Sequence, residues 1–439
     1  MNSGKIVVIG ANQGALAFAC FAAREGFDVT LYEAKKEQDV AYDWADDVIA
    51  AVFDRTGLPR PEQNRAFDAR DTTLIPPGKG KYIHLKAPQS EVAIPVYRRE
   101  LNKMLASLAK QAGAKINYEC AVKSAITDNN RVYGVLLEDG TEVLSGLTVD
   151  CGGVNSAVRM SLPDSLHIPQ NAKPSEMFFV RRTFFERTPG SERPIDTNKV
   201  YLKHLNERGI SWCFLSHEED TADVLVGRLD GLSDSTFTRA LDDLKSENAI
   251  IGERVIKGGQ QLLIPVRRPI SRMFAEGYAL LGDSAYMTIP LIGSGIGNGI
   301  EAGRILADVI SSPRGKSFGC KNLYRYQKRY MAEIGAEHAC VDMLKNWFLN
   351  SGDDDVDFLL DEGVVSDKML QSTSGEMASI TLPDILTSVY RGMKRPALMK
   401  ELAGLIANIA RLSKTAKNLP EQYNDGDLLL WQEKYDSAF

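Results

Sequence analysis

The 439-residue chain lacks most of the features that would commit it to a specialised class. Its six cysteines, Cys20, Cys120, Cys151, Cys213, Cys320 and Cys340, are scattered and form no C-x-x-C pair. That spacing argues against a zinc ribbon or a disulfide framework and fits a reducing compartment. Five histidines, among them His84, His204 and His217, show no metal-ligand spacing, so no metal is expected. The net charge is −6 and no basic stripe is interleaved with aromatics, so a nucleic-acid surface is not expected. No apolar run reaches the roughly 18 residues needed to span a bilayer. The N-terminus runs directly into an apolar stretch with no basic leader and cleavage site. These readings lead to the expectation of a cytoplasmic protein. Internal repeats and low-complexity segments are missing too.

What remains is ordinary globular composition, 44% hydrophobic and 25% charged, at a length that calls for two or three subdomains. The first informative stretch is KIVVIGANQGALAFACFAAREGFDVTLYEAKK, residues 5–36. It reads as a buried strand, a tight turn, a helix and a second strand ending at Glu33. In the dinucleotide-binding pattern G-x-G-x-x-G/A, the first glycine makes the turn and the second admits a pyrophosphate. The third position allows close helix–strand packing. Gly10 and Ala15 fill the first and third places, and Asn12 stands in the second. Asparagine tolerates a left-handed backbone and its amide could donate to a phosphate. Gly14 adds room at the helix start, where free N–H groups and the helix dipole favour an anion. Glu33 lies 23 residues beyond Gly10 (33 − 10), near the usual spacing of the acid that binds ribose hydroxyls.

A second landmark is EGYALLGDSAYMTIPLIGSGIGNGIEAGRILADVI, residues 276–310. A short apolar strand ends at Gly282-Asp283, and a glycine loop opens an amphipathic helix through Ile296, Ile300, Ile305 and Leu306. With these motifs the chain resembles FAD-dependent oxidoreductases of the aromatic-hydroxylase and geranylgeranyl-reductase superfamily. That family carries G-D-[AS]-A, matched by Gly282, Asp283, Ser284 and Ala285, and then P-x-x-G-x-G-I, matched by Pro290, Gly293, Gly295 and Ile296. The resemblance implies that Asp283 holds the flavin ribityl chain. It also implies that the amides of the Gly293–Ile296 loop stabilise negative charge on reduced flavin. LTVDCGGVNSAVR, residues 147–159, resembles the family's A-D-G-x-N-S-x-V-R through Gly153, Asn155, Ser156, Val158 and Arg159. Gly152 stands there in place of the family's aspartate. YRRELNKMLASLAKQAGAKI, residues 97–116, fits R-x-x-L-x-x-x-L, so that Arg98, or Arg99 one register on, would reach the cofactor. The strand KINYECAVKSAI would then offer the backbone of Val122 to adenine.

The expected architecture is α/β. A discontinuous Rossmann-like FAD-binding domain at 1–75, 92–170 and 266–315 carries an inserted antiparallel substrate sheet at 76–91 and 171–265. A helical C-terminal region follows at 316–439. The alternating runs EMFFVRRTFFER, NKVYLKHL, GISWCFLSH and ADVLVGRL support the sheet. Trp212, Phe214, Val226 and Gly227 resemble the Y-x-W-x-F-P and V-G signature of the geranylgeranyl-reductase branch. That branch's cysteine motif has no counterpart; AYDWADDV, residues 41–48, fills the region, which speaks against a polyprenyl substrate. The halogenase motif W-x-W-x-I-P is absent. From Leu398 apolar residues recur through Leu402, Leu405, Ile406, Ile409 and Leu412 on a basic helix. Such a helix either packs as a lid or contacts an anionic membrane.

The expected chemistry is FAD-dependent reduction of a C=C bond in an apolar or conjugated small-molecule substrate. Aromatic hydroxylation by a flavin monooxygenase is the alternative, and a non-catalytic protein with a degenerate flavin site or a nicotinamide dehydrogenase are the other rivals. Tyr286, where many relatives have histidine, and Trp212 are the weak catalytic candidates; packing roles compete for both. There is no second glycine fingerprint, and NAD(P)H stays a candidate electron donor.

Overall fold

A computed structural model describes residues 4–62, 71–87, 92–128, 130–170, 172–216, 220–312, 318–365, 387 and 390–439. His217 and part of each expected domain segment lie outside these residues. Strands β1–β18 and helices α1–α11 are numbered in chain order.

Three remote pieces of chain build one sheet. Its order is β17 (Phe274–Ala275), β18 (Tyr278–Leu280), β11 (Leu147–Asp150), β1 (Lys5–Ile9), β2 (Asp28–Tyr32) and β7 (Lys115–Asn117). All neighbours are parallel except the β17–β18 hairpin. The inner strands are apolar because helices cover both faces. Helix α1 (Gln13–Arg24) is buried along eleven of its residues. Its alanines and glycine let it lie between the sheet and α6 (Ile296–Ser311). A Cβ added to Gly14 would meet Leu281 at 3.0 Å and the Gly299 backbone at 3.2 Å, and one added to Gly303 would meet Phe18 at 3.2 Å. The α1–α6 crossing is thus set by absent side chains.

The segment KINYECAVKSAI does not run as one strand. It divides into β7 and β8 (Val122–Thr127), which belongs to a three-stranded sheet with β9 (Val132–Leu137) and β10 (Glu142–Leu144). Between them Glu119 takes a left-handed backbone, φ 58°, and the amides of Glu119 and Cys120 bond to Lys35 O and Glu33 O. The chain turns this corner because those amides are satisfied by the β2 exit instead of by a continuing ladder.

The seven-stranded sheet has the order β16 (Ile251–Pro265), β12 (Met177–Arg187), β15 (Thr221–Leu229), β14 (Gly209–Ser216), β13 (Asn198–Leu202), β4 (Thr72–Ile75) and β5 (Ile83–Leu85). Thr72–Ile75, read above as the end of the first cofactor segment, pairs in parallel with β13. One face packs on α5 (Asp234–Glu247) through Cys213, Leu215, Val224, Val226, Phe237 and Leu244. Strict alternation along β14 leaves Ile210, Trp212 and Phe214 on the other face. A ribbon of β3 (Ala45–Ile49) and β6 (Ala93–Tyr97) bridges the two large sheets, flanked by α2 (Ala51–Thr56) and α3 (Arg98–Gln111).

Short α4 (Ala157–Met160) follows β11. The C-terminal region is helical: α7 (Cys320–Tyr330), a π-turn at Met331–Gly335, α8 (Ala336–Asn350), α9 (Asp353–Asp361), α10 (Pro396–Lys417) and α11 (Asp425–Asp436). Helix α10 buries Leu398, Leu405, Leu412 and Ala416, a narrow stripe, while Ile406 is 67% exposed. Helix α9 grips the β4–β5 connection: Asp357 accepts from the Gly78 amide at 3.0 Å and Asp361 from that of Lys81 at 2.7 Å. Among the described residues, no helix is long and apolar enough to cross a membrane.

Gly14→Val should force α1 from α6 and cost about 1–3 kcal/mol, the usual penalty of overpacking. Gly299→Ala, whose added Cβ finds Gly14 at an ordinary 3.5 Å, should cost far less. Denaturant midpoints of the two variants test the crossing.

Candidate active site

The sequence motifs meet along one edge. Gly10, Glu33, Cys151–Gly153 and Gly282–Asp283 follow the carboxyl ends of β1, β2, β11 and β18. That edge is where open parallel sheets place ligands. Gly10 has φ +88°, and a Cβ there would meet Cys151 O at 2.9 Å, so only glycine fits the turn. Asn12 is not left-handed; its φ of −74° and ψ of 174° make it the cap of α1. Its Oδ1 accepts from the Ala15 amide at 3.1 Å and its Nδ2 donates to Cys151 O at 2.8 Å. Both ends of the side-chain amide are thus tied to the protein. Asparagine suits this place as a helix cap. Glu33 accepts from the amides of Ala11, at 2.8 Å, and Lys35, at 2.9 Å, which holds the acid against the glycine turn. Asn102 on α3, not singled out by the sequence, donates to Ala11 O at 3.0 Å from the other side.

Buried polar groups lock the later segments to this edge. The Asp150 carboxylate, fully buried, accepts from Tyr278 OH at 2.6 Å, Ser156 Oγ at 2.5 Å and the Gly152 amide at 2.8 Å. A Cβ on Gly152 would lie 3.1 Å from both Asp150 Oδ1 and Ser156 Oγ. An aspartate at 152 would crowd a carboxylate already in place two residues earlier. Arg159 is no surface residue: 1% exposed, it donates to Ser284 O, Val154 O and Gln170 O. Tyr286 is fully buried in a left-handed conformation, its ring 5.0 Å from the Arg159 guanidinium and 4.7 Å from that of Arg267.

Asp283 lies deep in the molecule, yet its side chain is open to accessible space. It therefore lines a cleft. Burial pushes its carboxyl above the usual range, while Thr288, donating at 3.0 Å, and Arg98 pull it down. A Cβ on Gly295 would come within 3.3 Å of Asp283 Oδ1 and 3.1 Å of Thr288 Oγ1, so this glycine keeps the loop close to the carboxylate. Gly293 is left-handed, φ +70°, and Gly295 caps α6, whose first amides from Ile296 onward have no intrahelical acceptor. Val122 opens β8 beyond the corner next to Glu33. The glycine turn, the open carboxylate and the unpaired helix amides fit a dinucleotide with a polar tail and an anionic end.

Above this edge runs a chain of charges that the sequence did not disclose. Arg98, the first residue of α3, bonds to Asp46 and lies over the Tyr42 ring at 5.3 Å; Arg99 donates instead to Ala41 O at 3.2 Å. Asp46 also accepts from Arg182 Nη1 at 2.9 Å. Arg182 grips Asp223 in bidentate fashion at 2.9 and 2.7 Å, and Asp223 accepts from Trp212 Nε1 at 3.3 Å. Burial alone would lower the Arg182 pKa, but Asp223 and Asp46 outweigh it and hold the guanidinium charged. Trp44, Phe184 and Trp212 surround it with rings 4.9–5.4 Å away. Tyr42 stacks on Trp44 at 4.5 Å. Trp212 is thus committed to supporting the arginine. The only signal in the sequence was AYDWADDV itself, an acid–aromatic cluster where the branch has another motif.

No family model matches the chain. Digeranylgeranylglycerophospholipid reductases do: that of Sulfolobus acidocaldarius is 20% identical over 99% of this chain and 96% of its own, and that of Methanothrix thermoacetophila 26% identical over 91% and 99%. A geranylgeranyl bacteriochlorophyll reductase-like structure from Thermoplasma acidophilum superposes with a TM-score of 0.73 at 20% identity, covering 91% of this chain and 98% of that one. In sequence the chain is similar to these reductases, and in fold it is similar to FAD-dependent enzymes. A myxobacterial chondrochloren halogenase, an FAD-dependent enzyme, shares the fold with a TM-score of 0.62 at 16% identity, over 99% of this chain and 97% of that one.

Arg182→Met should leave Asp46 and Asp223 buried without their shared cation, at a cost of about 3–5 kcal/mol. A denaturant midpoint near that of the unaltered protein would show that the two sheets do not depend on this bridge.

Proposed function

We propose that the protein uses FAD to reduce carbon–carbon double bonds of a polyprenyl lipid. The observation that carries this reading is that relatives aligned over nearly their whole length are named digeranylgeranylglycerophospholipid reductases. Their agreement outweighs the missing cysteine motif. The wall beside the glycine loop supports it: Ile264 lies 3.7 Å from the Cβ position of Gly293 and clusters with Phe178, Phe348, Leu229, Val266 and Leu349. An apolar chain entering there would lose its hydration shell at little cost to polar groups.

In this reading the Gly10 turn and the start of α1 at Gly14 take the pyrophosphate, Ala15 lets helix and strand pack closely, and Glu33 takes the ribose. The Val122 backbone faces adenine. Asp283 grips the ribityl chain, and Arg98 sets the charge beside it. The amides at Gly293, Gly295 and Ile296 favour negative charge at the end of the isoalloxazine. FAD supplies the hydride chemistry when bound. The protein orients the lipid and keeps water from the reacting carbons. Helix α10 would serve as part of the lid.

Asp283→Ala should weaken FAD binding roughly 10- to 100-fold, the value of a hydrogen bond to a charged group. Flavin-fluorescence titration reads this, and the unfolding midpoint should hardly move, because the side chain faces open space. Anaerobically reduced protein mixed with digeranylgeranylglycerophospholipid should return to the oxidised flavin spectrum while the lipid gains two hydrogens per double bond by mass spectrometry. Reoxidation by oxygen with hydroxylation of an added aromatic, and none by the lipid, would favour the monooxygenase alternative.

A further inference from the structure

Helix α10 has two stripes with opposite surroundings. Leu398, Leu405, Leu412 and Ala416 are buried in the C-terminal region. The far side of the helix carries Lys400, Ala403, Ala407, Ala410, Arg411 and Lys414, all exposed, at the three- and four-residue spacing that places side chains on one face. Exposed Ile406 flanks them. No carboxylate shares this face. The helix has one acid, Glu401, and it accepts from Trp347 Nε1 on α8 at 2.6 Å.

Charge is segregated here. Residues 391–418 hold seven basic side chains against the single Glu401, a net of +6 in a chain whose total is −6. The first three are engaged within the protein: Arg391 donates to Gly363 O, Lys394 pairs with Glu362 and Arg395 with Asp355. Further along, Lys400, Lys414 and Lys417 make no ion pair among the described residues, and Arg411 bonds to Asn408 of its own helix. Cations without acids, with alanine and isoleucine between them, match an anionic lipid surface: the charges meet lipid phosphates and the apolar atoms enter the headgroup boundary. At 22 residues the helix is about 33 Å long, and it is too polar to cross a bilayer, so it would lie flat on one.

The inner side of the helix leads toward the candidate site. Leu398 clusters with Leu402 and with Trp347 of α8. The next residue of α8, Phe348, packs with Ile264, which lies 3.7 Å from the Cβ position of Gly293. Apolar contacts thus run from α10 to the glycine loop. We propose that the outer face of α10 docks on an anionic membrane. On the reductase reading above, on which this consequence rests, docking sets the mouth of that apolar path against the bilayer that holds the lipid, so an acyl-like chain need not cross water to reach the loop.

Co-sedimentation of the full chain with lipid vesicles, FAD present, tests the surface. Vesicles of equal parts phosphatidylglycerol and phosphatidylcholine should take up the protein, vesicles of phosphatidylcholine alone should not, and added salt should release it. Lys400→Gln, Arg411→Gln and Lys414→Gln together should lower the partitioning roughly 100-fold, about fivefold per charge, with the unfolding midpoint unmoved because these side chains are exposed. Ile406→Ser should lower it about tenfold. No uptake, uptake that ignores lipid charge, or uptake that survives the triple change overturns the proposal. A concentration-dependent dimer that the triple change abolishes, without vesicle uptake, gives the face to a second copy and overturns it as well. Charge-dependent uptake of a protein that binds FAD but is never reoxidised by the lipid overturns the reductase reading and leaves the docking surface standing.

Discussion

The buried carboxylate of Asp150 is the constraint on which the rest of the molecule depends. It ends the central strand of the parallel sheet and is satisfied entirely by groups from other places in the chain: the Tyr278 hydroxyl on β18, the Ser156 hydroxyl and the Gly152 amide. Ser284 bonds to the carbonyl of the same residue, and Arg159 reaches across to Ser284. A carboxylate without water must be met in full or not buried at all. Meeting it draws a strand near residue 280 against one near residue 150, and so carries Asp283 to the edge where the Gly10 turn already waits.

Much of this was legible beforehand. Gly10, Glu33, Asp283 and the Gly293–Ile296 loop advertise themselves because backbone geometry there admits few residue types, and a short turn is written in consecutive letters. Asn12 and Gly152 were read as departures. The structure gives each a local reason: the first caps a helix and locks the Cys151 carbonyl, and the second makes room for Asp150 and Ser156. Gly14, read as room at the helix start, also makes room for another helix.

What could not be read was the middle of the cleft. Arg182, Asp46, Asp223 and Arg98 come from β12, β3, β15 and α3, and no periodicity links them. Only Arg98 was marked by a motif; Arg182, Asp46 and Asp223 each pass for a surface charge when taken alone. Only the meeting of the two sheets turns them into a desolvated chain walled by Trp44, Phe184 and Trp212. The corner at Glu119 was hidden for the same reason: an apolar run gives no sign that its two halves join different sheets.

The interleaved origin of the parallel sheet also bears on how the molecule comes into being. As the chain leaves the ribosome, β1, β2 and β7 emerge early, but β11 has no partner on its far side until Tyr278–Leu280 is made. While the residues between Asp150 and Tyr278 are being made, the nascent sheet presents an apolar, hydrogen-bonding rim. Long-range pairing of this kind is slow and prone to wrong partners. The geometry that assembles the cleft from distant segments therefore delays closure of the sheet until the strand at Tyr278–Leu280 has been made.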